Sequence, residues 1–127
     1  MIAIGVGCRR GVSQAEIAAM IQEALADAQI VGGEPARLFS IDAKRDEAGL
    51  VGAADALRLP LEFLSAEALR AVEDKIATRS AQAAARFGVA SVSEAAALAG
   101  AGRDARLIAP RVARSNVTIA VARGSGR

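Results

Sequence analysis

The chain has 127 residues with a formal net charge of +2, and 53% of the residues are hydrophobic, with 32 alanines in all. This composition fits one folded domain with a thin core of closely packed helices, and it excludes intrinsic disorder. The absence of histidine and the single cysteine exclude a nucleophile–histidine pair, a structural zinc site and an internal disulfide.

Strands and helices alternate in the first half of the chain. Met1–Val6 is continuously apolar and predicts a buried strand, followed by a tight loop over Gly7–Val12. Ser13 and Glu16 have the spacing of a capping box, so a helix should begin there and end before Gly32-Gly33.

A second and a third strand follow. We predict a strand over Arg37–Ile41, a polar loop over Asp42–Glu47, and then a helix that Leu59-Pro60 ends. Leu61–Leu64 predicts the third strand. The helix after the polar loop should bury one face, formed by Leu50, Val51, Ala54 and Leu57.

Ser65 should cap a further helix that runs to about Ala77 and buries Leu69, Val72 and Ile76. The alanine-rich stretch that follows predicts a helical piece over Ser80–Phe87 that stops at Gly88. A second capping box, Ser91 with Glu94, opens a short helix through Leu98, which Gly100 and Gly102 close.

Two last strands, Ala105–Ala109 and Val117–Ala122, are joined by Pro110–Asn116, a link too short for a parallel crossover. We therefore predict a single three-layer α/β/α domain over residues 1–123, with a mixed, mainly parallel sheet that ends in an antiparallel hairpin. The tail Gly124–Arg127 should be disordered.

Ligands of open α/β sheets bind at the carboxyl ends of the strands, where we expect three loops to meet. In the first loop, backbone N–H groups and two guanidinium groups predict an anion site, and a glycine turn with solvated arginines is the alternative. The candidate ligand-binding residues of this loop are Gly7, Cys8, Arg9, Arg10 and Gly11.

Two other interpretations of the first loop are a dinucleotide-binding fingerprint and a reactive thiol at Cys8. Gly5, Gly7 and Gly11 are spaced one residue too long for a dinucleotide fingerprint, which argues against nicotinamide binding. Arg9 and the nearby helix start would lower the pKa of the Cys8 thiol, although a partly buried structural cysteine fits the same position.

The second and third loops supply the remaining candidates. Asp42 is the candidate general base, since no histidine competes for that role. In the third loop, arginines would take carboxylates, unless the segment is an exposed hairpin turn that uses asparagine for its backbone freedom. The candidates are Ser40, Asp42, Lys44 and Asp46 in the second loop, and Arg111, Arg114, Ser115, Asn116 and Thr118 in the third.

Of the 16 basic residues 14 are arginine, and residues 103–127 contain six arginines against one acid. This pattern indicates a site for a polyanionic small molecule, although a preference for arginine codons would also produce it. Three phenylalanines do not make a stacking platform, so we expect no nucleic-acid partner.

Several motifs together resemble one known family. They are GVGCRRG at 5–11, SIDxKxDExG at 40–49, LPL at 59–61, VASVSEAA at 89–96 and SNVTIAVAR at 115–123. The chain resembles the CobE proteins and the carboxy-terminal domains of CbiG proteins, a family of cobalamin biosynthesis, over almost its whole length.

The resemblance implies a role in building the corrin ring. Fused CbiG proteins open a lactone on a cobalt-precorrin and release acetaldehyde, whereas stand-alone CobE proteins belong to the aerobic pathway. We expect this chain to be of the stand-alone kind and to bind a precorrin, whose acetate and propionate groups suit arginines. If it catalyses lactone opening, Asp42 would activate water and the Gly7–Gly11 loop would stabilise the oxyanion.

Two other functions remain open at this point: a nucleotide- or phosphate-binding module that uses the same loop, and a structural subunit that docks on another enzyme of the pathway. The apolar start, Met1–Gly7, is too short and too soon followed by arginines to act as a signal peptide or a membrane span, so we expect a cytoplasmic protein with no membrane partner. We also expect no cofactor and no metal.

Overall fold

A computed structural model describes residues 1–30, 34–76, 84–85, 91–114 and 116–126. Five strands form one sheet in the order β3-β2-β1-β5-β4. β1 pairs in parallel with β2, β2 in parallel with β3, and β5 is antiparallel to both β1 and β4. The strands are β1 (Ile2–Cys8), β2 (Ala36–Ile41), β3 (Leu61–Leu64), β4 (Arg106–Arg114) and β5 (Val117–Arg123).

Within the part of the chain that the structure describes, helices cover both faces of the sheet. Alternate residues of β1 point to opposite faces, so Ile2, Ile4 and Val6 pack against the first two helices, while Ala3 packs against the last two. The three-layer α/β/α prediction is confirmed. The helices are α1 (Gln14–Asp27), α2 (Ala48–Leu57), α3 (Ala66–Arg70) and α4 (Val92–Ala101), with 3₁₀ turns at Asp42–Lys44 and Glu73–Lys75.

The three predicted serine caps are confirmed. The hydroxyls of Ser13, Ser65 and Ser91 accept hydrogen bonds from the amide three residues on, at 3.2, 3.1 and 3.4 Å. Each serine satisfies one of the N–H donors that a helix start leaves without an intrahelical partner. Local chemistry is therefore enough to place the beginnings of α1, α3 and α4.

Two strands extend beyond their predicted ends by two residues or more. β1 continues through Gly7 and Cys8, because β5 lies beside it and pairs Cys8 with Val117. β4 runs over Arg106–Arg114, although the sequence indicated a loop from Pro110. The register of β4 shifts between Leu107 and Ala109 and again before Val112. Proline is tolerated here because β4 is an edge strand with irregular pairing.

Three helices differ from their predictions. α3 ends at Arg70 instead of reaching Ala77, and a 3₁₀ turn follows it. On α2, Val51 is exposed and Ala53 is buried in its place, so the apolar face is rotated. α4 runs through Gly100 to Ala101.

The chain end also differs from the expected disorder. The amides of Gly124 and Gly126 donate to the carbonyls of Met1 and Ala101, at 3.1 and 2.8 Å, and Ser125 donates to Arg103 at 2.8 Å. Residues Gly32-Gly33 and Gly88, most of the predicted helix over 80–87, and Arg127 lie outside the described residues.

Gly5 in β1 allows α4 to lie directly on the sheet. A Cβ atom at this position would overlap the carbonyl oxygen of Ser93 and come within 2.7 Å of the amide nitrogen of Ala97. Both atoms belong to the α4 backbone and cannot rotate away. At Gly7, on the same face, an added Cβ would instead meet the Thr118 hydroxyl at 2.6 Å, which a rotation of that side chain can relieve.

Gly5→Ala should therefore destabilise the protein more than Gly7→Ala. We expect the free energy of unfolding to fall by about 2–3 kcal/mol for Gly5→Ala and by about 1 kcal/mol for Gly7→Ala, the two ends of the usual cost of overpacking. Urea denaturation of both variants measures the difference. Equal losses would show that α4 does not pack rigidly on β1.

Candidate functional site

The three predicted loops meet at one edge of the sheet. β1 and β2 are parallel, so both end at this edge, at Cys8 and Ile41. β5 is antiparallel to β1 and begins there, with Val117 beside Cys8. The turn between β4 and β5 consequently lies next to the loop that leaves β1. We call this the carboxyl edge.

Two hydrogen bonds join the loops. The amide of Arg9 donates to the carbonyl of Asn116 at 2.9 Å and links the first loop to the third. The amide of Gly11 donates to the Glu47 carboxylate at 3.1 Å and links the first loop to the second. Gly11 has a φ of 80°, in the left-handed region that favours glycine. The loops therefore form one connected surface.

Helices α1 and α2 both begin beside a cleft of about 570 Å³. Gly49 allows their close approach, because a Cβ there would overlap the carbonyl oxygen of Val12. Two helix N-termini give the cleft a positive local field, which favours an anion. Arg10 adds positive charge, and Asp46 and Glu47 add negative charge. The lining residues are Arg10, Gly11, Val12, Ser13, Gln14, Asp46, Glu47, Ala48 and Gly49.

Sequence reasoning missed part of this cleft. The sequence indicates Ser13 and Gln14 only as the start of a helix, and Glu47 only as the end of the polar loop before α2. Glu47 instead turns its carboxylate to the Gly11 amide, and it makes no side-chain cap bond to α2. Glu47 stands immediately before α2, and an acid at this position indicates a polar contact. The sequence does not identify its partner, the Gly11 amide, because that contact depends on tertiary structure.

Two candidate residues, Ser40 and Thr118, donate hydrogen bonds to backbone carbonyls of β1. Ser40 is buried and its hydroxyl donates to the carbonyl of Val6 at 2.7 Å. The Thr118 hydroxyl donates to the carbonyl of Gly7 at 3.4 Å. These contacts connect β2 to β1 and β5 to β1, so they support the edge from within.

The predicted arginines occupy different surroundings. Arg9 and Arg10 are exposed, and Arg10 borders the cleft. Arg114 forms an ion pair with Glu23 of α1, and this hydrogen-bonded guanidinium holds the pKa of Glu23 below its usual range. The amide of Arg111 donates to the buried Glu94 carboxylate at 2.9 Å. Ser115 lies outside the described residues.

The charged residues of the second loop differ in exposure and in whether they line the cleft. Asp42 is exposed and its carboxylate accepts a 2.6 Å hydrogen bond from Arg45. Asp46 lines the cleft, whereas Asp42 does not. Lys44, between them, is buried, with 6% of its surface exposed.

Cys8 is half-buried at the end of β1. Burial raises the pKa of its thiol, and the nearby Lys44 ammonium and Glu47 carboxylate have smaller, opposite effects. The direction expected from Arg9 and the helix start is wrong, because burial of the thiol has the largest effect on this pKa. The environment of Cys8 is that of a structural cysteine.

Alkylation of the single cysteine tests this environment. We expect the pH profile of the reaction with iodoacetamide to give an apparent pKa above the ordinary thiol value of about 8.5. The same protein unfolded in urea serves as the control and should give the ordinary value. An apparent pKa below that of the unfolded chain would contradict the dominance of burial.

Among the residues that the structure describes, no helix has the length and apolar character needed to span a membrane. Within the same part of the chain, no group of three or more cysteine, aspartate or glutamate side chains is arranged to hold a metal ion.

Known proteins resemble this chain over nearly its whole length. Protein CobE of Sinorhizobium sp is 35% identical over 121 residues, which are 95% of this chain and 79% of that protein. The crystal structure of CobE, a protein from the cobalamin (vitamin B12) biosynthetic pathway, matches with a TM-score of 0.91 at 36% identity, covering 100% of this chain and 92% of the other.

A cobalt-precorrin-5A hydrolase of Priestia megaterium is 34% identical over 122 residues, and the match covers 96% of this chain but only 32% of that protein. The profile of the family described as "Cobalamin synthesis G C-terminus" matches residues 2–122. The chain therefore belongs to the cobalamin synthesis G C-terminal family, with a role in cobalamin biosynthesis.

Proposed function

We propose that the protein binds a polycarboxylated corrin intermediate, a precorrin, at the carboxyl edge. The observation that carries the proposal is the convergence of three loops and two helix N-termini on one connected surface, through the bonds from Arg9 to Asn116 and from Gly11 to Glu47. Backbone N–H groups and guanidinium groups are the donors that carboxylates prefer.

The charge of the surface supports a ligand with several carboxylates. Arg10 borders the cleft, and Arg9 is exposed on the same loop. By contrast, Arg114 and Arg123 pair with Glu23 and Glu34, so two of the six arginines in the last quarter of the chain are neutralised within the protein. The first loop is therefore the better place to meet an anionic ligand.

The size of the cleft indicates how such a ligand would bind. A volume of about 570 Å³ lies within the range of small-molecule sites. The cleft opens at the end of the sheet, between two helix starts, and does not form a slot through the core. It suits the carboxylate-bearing rim of a macrocycle, with the ring itself lying across the exposed loops.

Binding is a better proposal for this chain than hydrolysis. The hydrolase of Priestia megaterium acts, by its name, on cobalt-precorrin-5A, but this chain corresponds to only 32% of it. We infer that lactone opening or ring contraction is assisted here by holding the intermediate and presenting it to other enzymes of the pathway in the cytoplasm. A labile tetrapyrrole gains protection while it is held.

Absorbance titration with hydrogenobyrinic acid tests the proposal. We expect saturable spectral change with the wild-type protein, and about 3- to 10-fold weaker binding by the Arg9→Ala/Arg10→Ala double variant, as expected for two exposed charges. The Arg103→Ala/Arg106→Ala variant removes two exposed arginines at the opposite edge and should bind like the wild type.

Absence of any saturable change with the wild-type protein would contradict corrin binding. A nucleotide-induced rise in Tm would then favour the phosphate-binding alternative. Recovery of a pathway enzyme in a pull-down, with no small-molecule binding, would favour the docking subunit. An equal loss of affinity in both double variants would show that the effect comes from the net charge of the whole protein and not from the first loop.

Asp42→Asn separates binding from chemistry. We expect affinity for hydrogenobyrinic acid to change by less than about twofold, because surface substitutions outside a site have small effects and Asp42 does not line the cleft. If lactone opening uses Asp42 as its base, the same substitution abolishes turnover in a reaction reconstituted with partner enzymes. Asp55→Asn, an exposed acid on α2, is the control. Retained turnover in Asp42→Asn would exclude Asp42 as the base.

A further inference from the structure

Lys44 is a buried cation at the carboxyl edge. It is the last residue of the 3₁₀ turn after β2, and 6% of its surface is exposed. The chain has one other lysine, Lys75, which is also the last residue of a 3₁₀ turn but is exposed. The two lysines thus share a local structure and differ in burial.

The Lys44 ammonium is unpaired among the residues that the structure describes. No carboxylate in that part of the chain lies within ion-pair distance of it, and it donates no hydrogen bond there. Three acids lie within three residues of it: Asp42 pairs with Arg45, Glu47 accepts from the amide of Gly11, and Asp46 borders the cleft. A buried charge without a protein partner is costly, and solvent that reaches the ammonium offsets part of that cost.

The ammonium keeps access to solvent. Among the described side chains, Ser93 Oγ is the polar atom that is both inaccessible to solvent and without a hydrogen bond. Lys44 Nζ also has no hydrogen bond there but is not such an atom, so it must be accessible to solvent. Its charge acts on the Cys8 thiol, and Glu47 acts on the same thiol. Lys44, in the turn that follows β2, therefore lies near the end of β1 at the carboxyl edge.

We propose that Lys44 is the buried anchor for one carboxylate of the ligand at the carboxyl edge. This inference rests on the proposed function and identifies which cation orients the ligand. The exposed arginines attract the anion from a distance, and salt screens that attraction. A nearly buried ammonium is screened much less, and the ion pair it forms with an incoming carboxylate is strengthened by the low local dielectric.

Lys44→Met and Lys75→Met form a matched pair of variants. Methionine keeps the approximate length of the lysine stem and removes the charge. Replacing a buried charge by an apolar group of similar volume is often neutral or stabilising. We therefore expect Lys44→Met to leave the Tm unchanged or to raise it by about 1–4 °C, while Lys75→Met leaves it unchanged.

Titration with hydrogenobyrinic acid at low and at high salt measures the role of each cation. We expect Lys44→Met to bind at least about tenfold more weakly at both salt concentrations, as expected for the loss of a buried charged partner. The Arg9→Ala/Arg10→Ala variant should differ from the wild type mainly at low salt. Lys75→Met should bind like the wild type at both.

Amine acetylation of the wild-type protein gives an independent measurement. With acetic anhydride and mass spectrometry, hydrogenobyrinic acid should slow modification of Lys44 and leave modification of Lys75 unchanged. This readout needs no variant, so it decides the question even if Lys44→Met folds poorly. Unchanged acetylation of Lys44 under saturating ligand would overturn the proposal.

The outcomes separate this inference from the proposed function. Saturable binding by the wild type with equal affinity in Lys44→Met would overturn the anchor and leave corrin binding in place. Absence of wild-type binding would overturn both. A salt-dependent loss in Lys44→Met equal to that of the arginine variant would assign Lys44 to general attraction and would also overturn the anchor.

Discussion

The position of β1 between one parallel and one antiparallel neighbour determines the rest of the structure. Because β2 runs with β1 and β5 runs against it, the ends of β1 and β2 and the beginning of β5 lie at the same edge. A purely parallel arrangement would have sent the last connection across a face of the sheet. The mixed pairing instead places a tight turn beside the first loop, where the Asn116 carbonyl accepts from the Arg9 amide.

Small residues make this arrangement compact. A core rich in alanine gains less from each buried side chain than one rich in leucine or phenylalanine, so its layers must approach closely to exclude water. Gly5 brings the α4 backbone onto β1, and Gly49 brings α2 onto the loop before α1. The second of these contacts also forms one wall of the cleft, so the packing that stabilises the fold shapes the candidate site.

The arginines and lysines serve two purposes. Arg114 and Arg123 connect the final hairpin to Glu23 and Glu34, which belong to other parts of the fold. The Arg114–Glu23 pair is exposed and the Arg123–Glu34 pair is partly buried. Exposed pairs contribute little to stability, but both pairs neutralise charge that would otherwise compete for an anion. Arg10 at the cleft and the buried Lys44 remain for the ligand under our proposal, one for attraction and one for orientation.

The sequence alone determined the order of elements, the three serine caps and the final antiparallel hairpin, because periodicity and capping act between residues close in the chain. It also predicted which loops would meet, since parallel strands end at a common edge. Tertiary structure alone decided that β1 and β4 are longer than their apolar runs, that Ser40 and Thr118 connect strands, and that Glu47 turns to Gly11. Each depends on a partner distant in sequence, as does the burial that distinguishes Lys44 from Lys75.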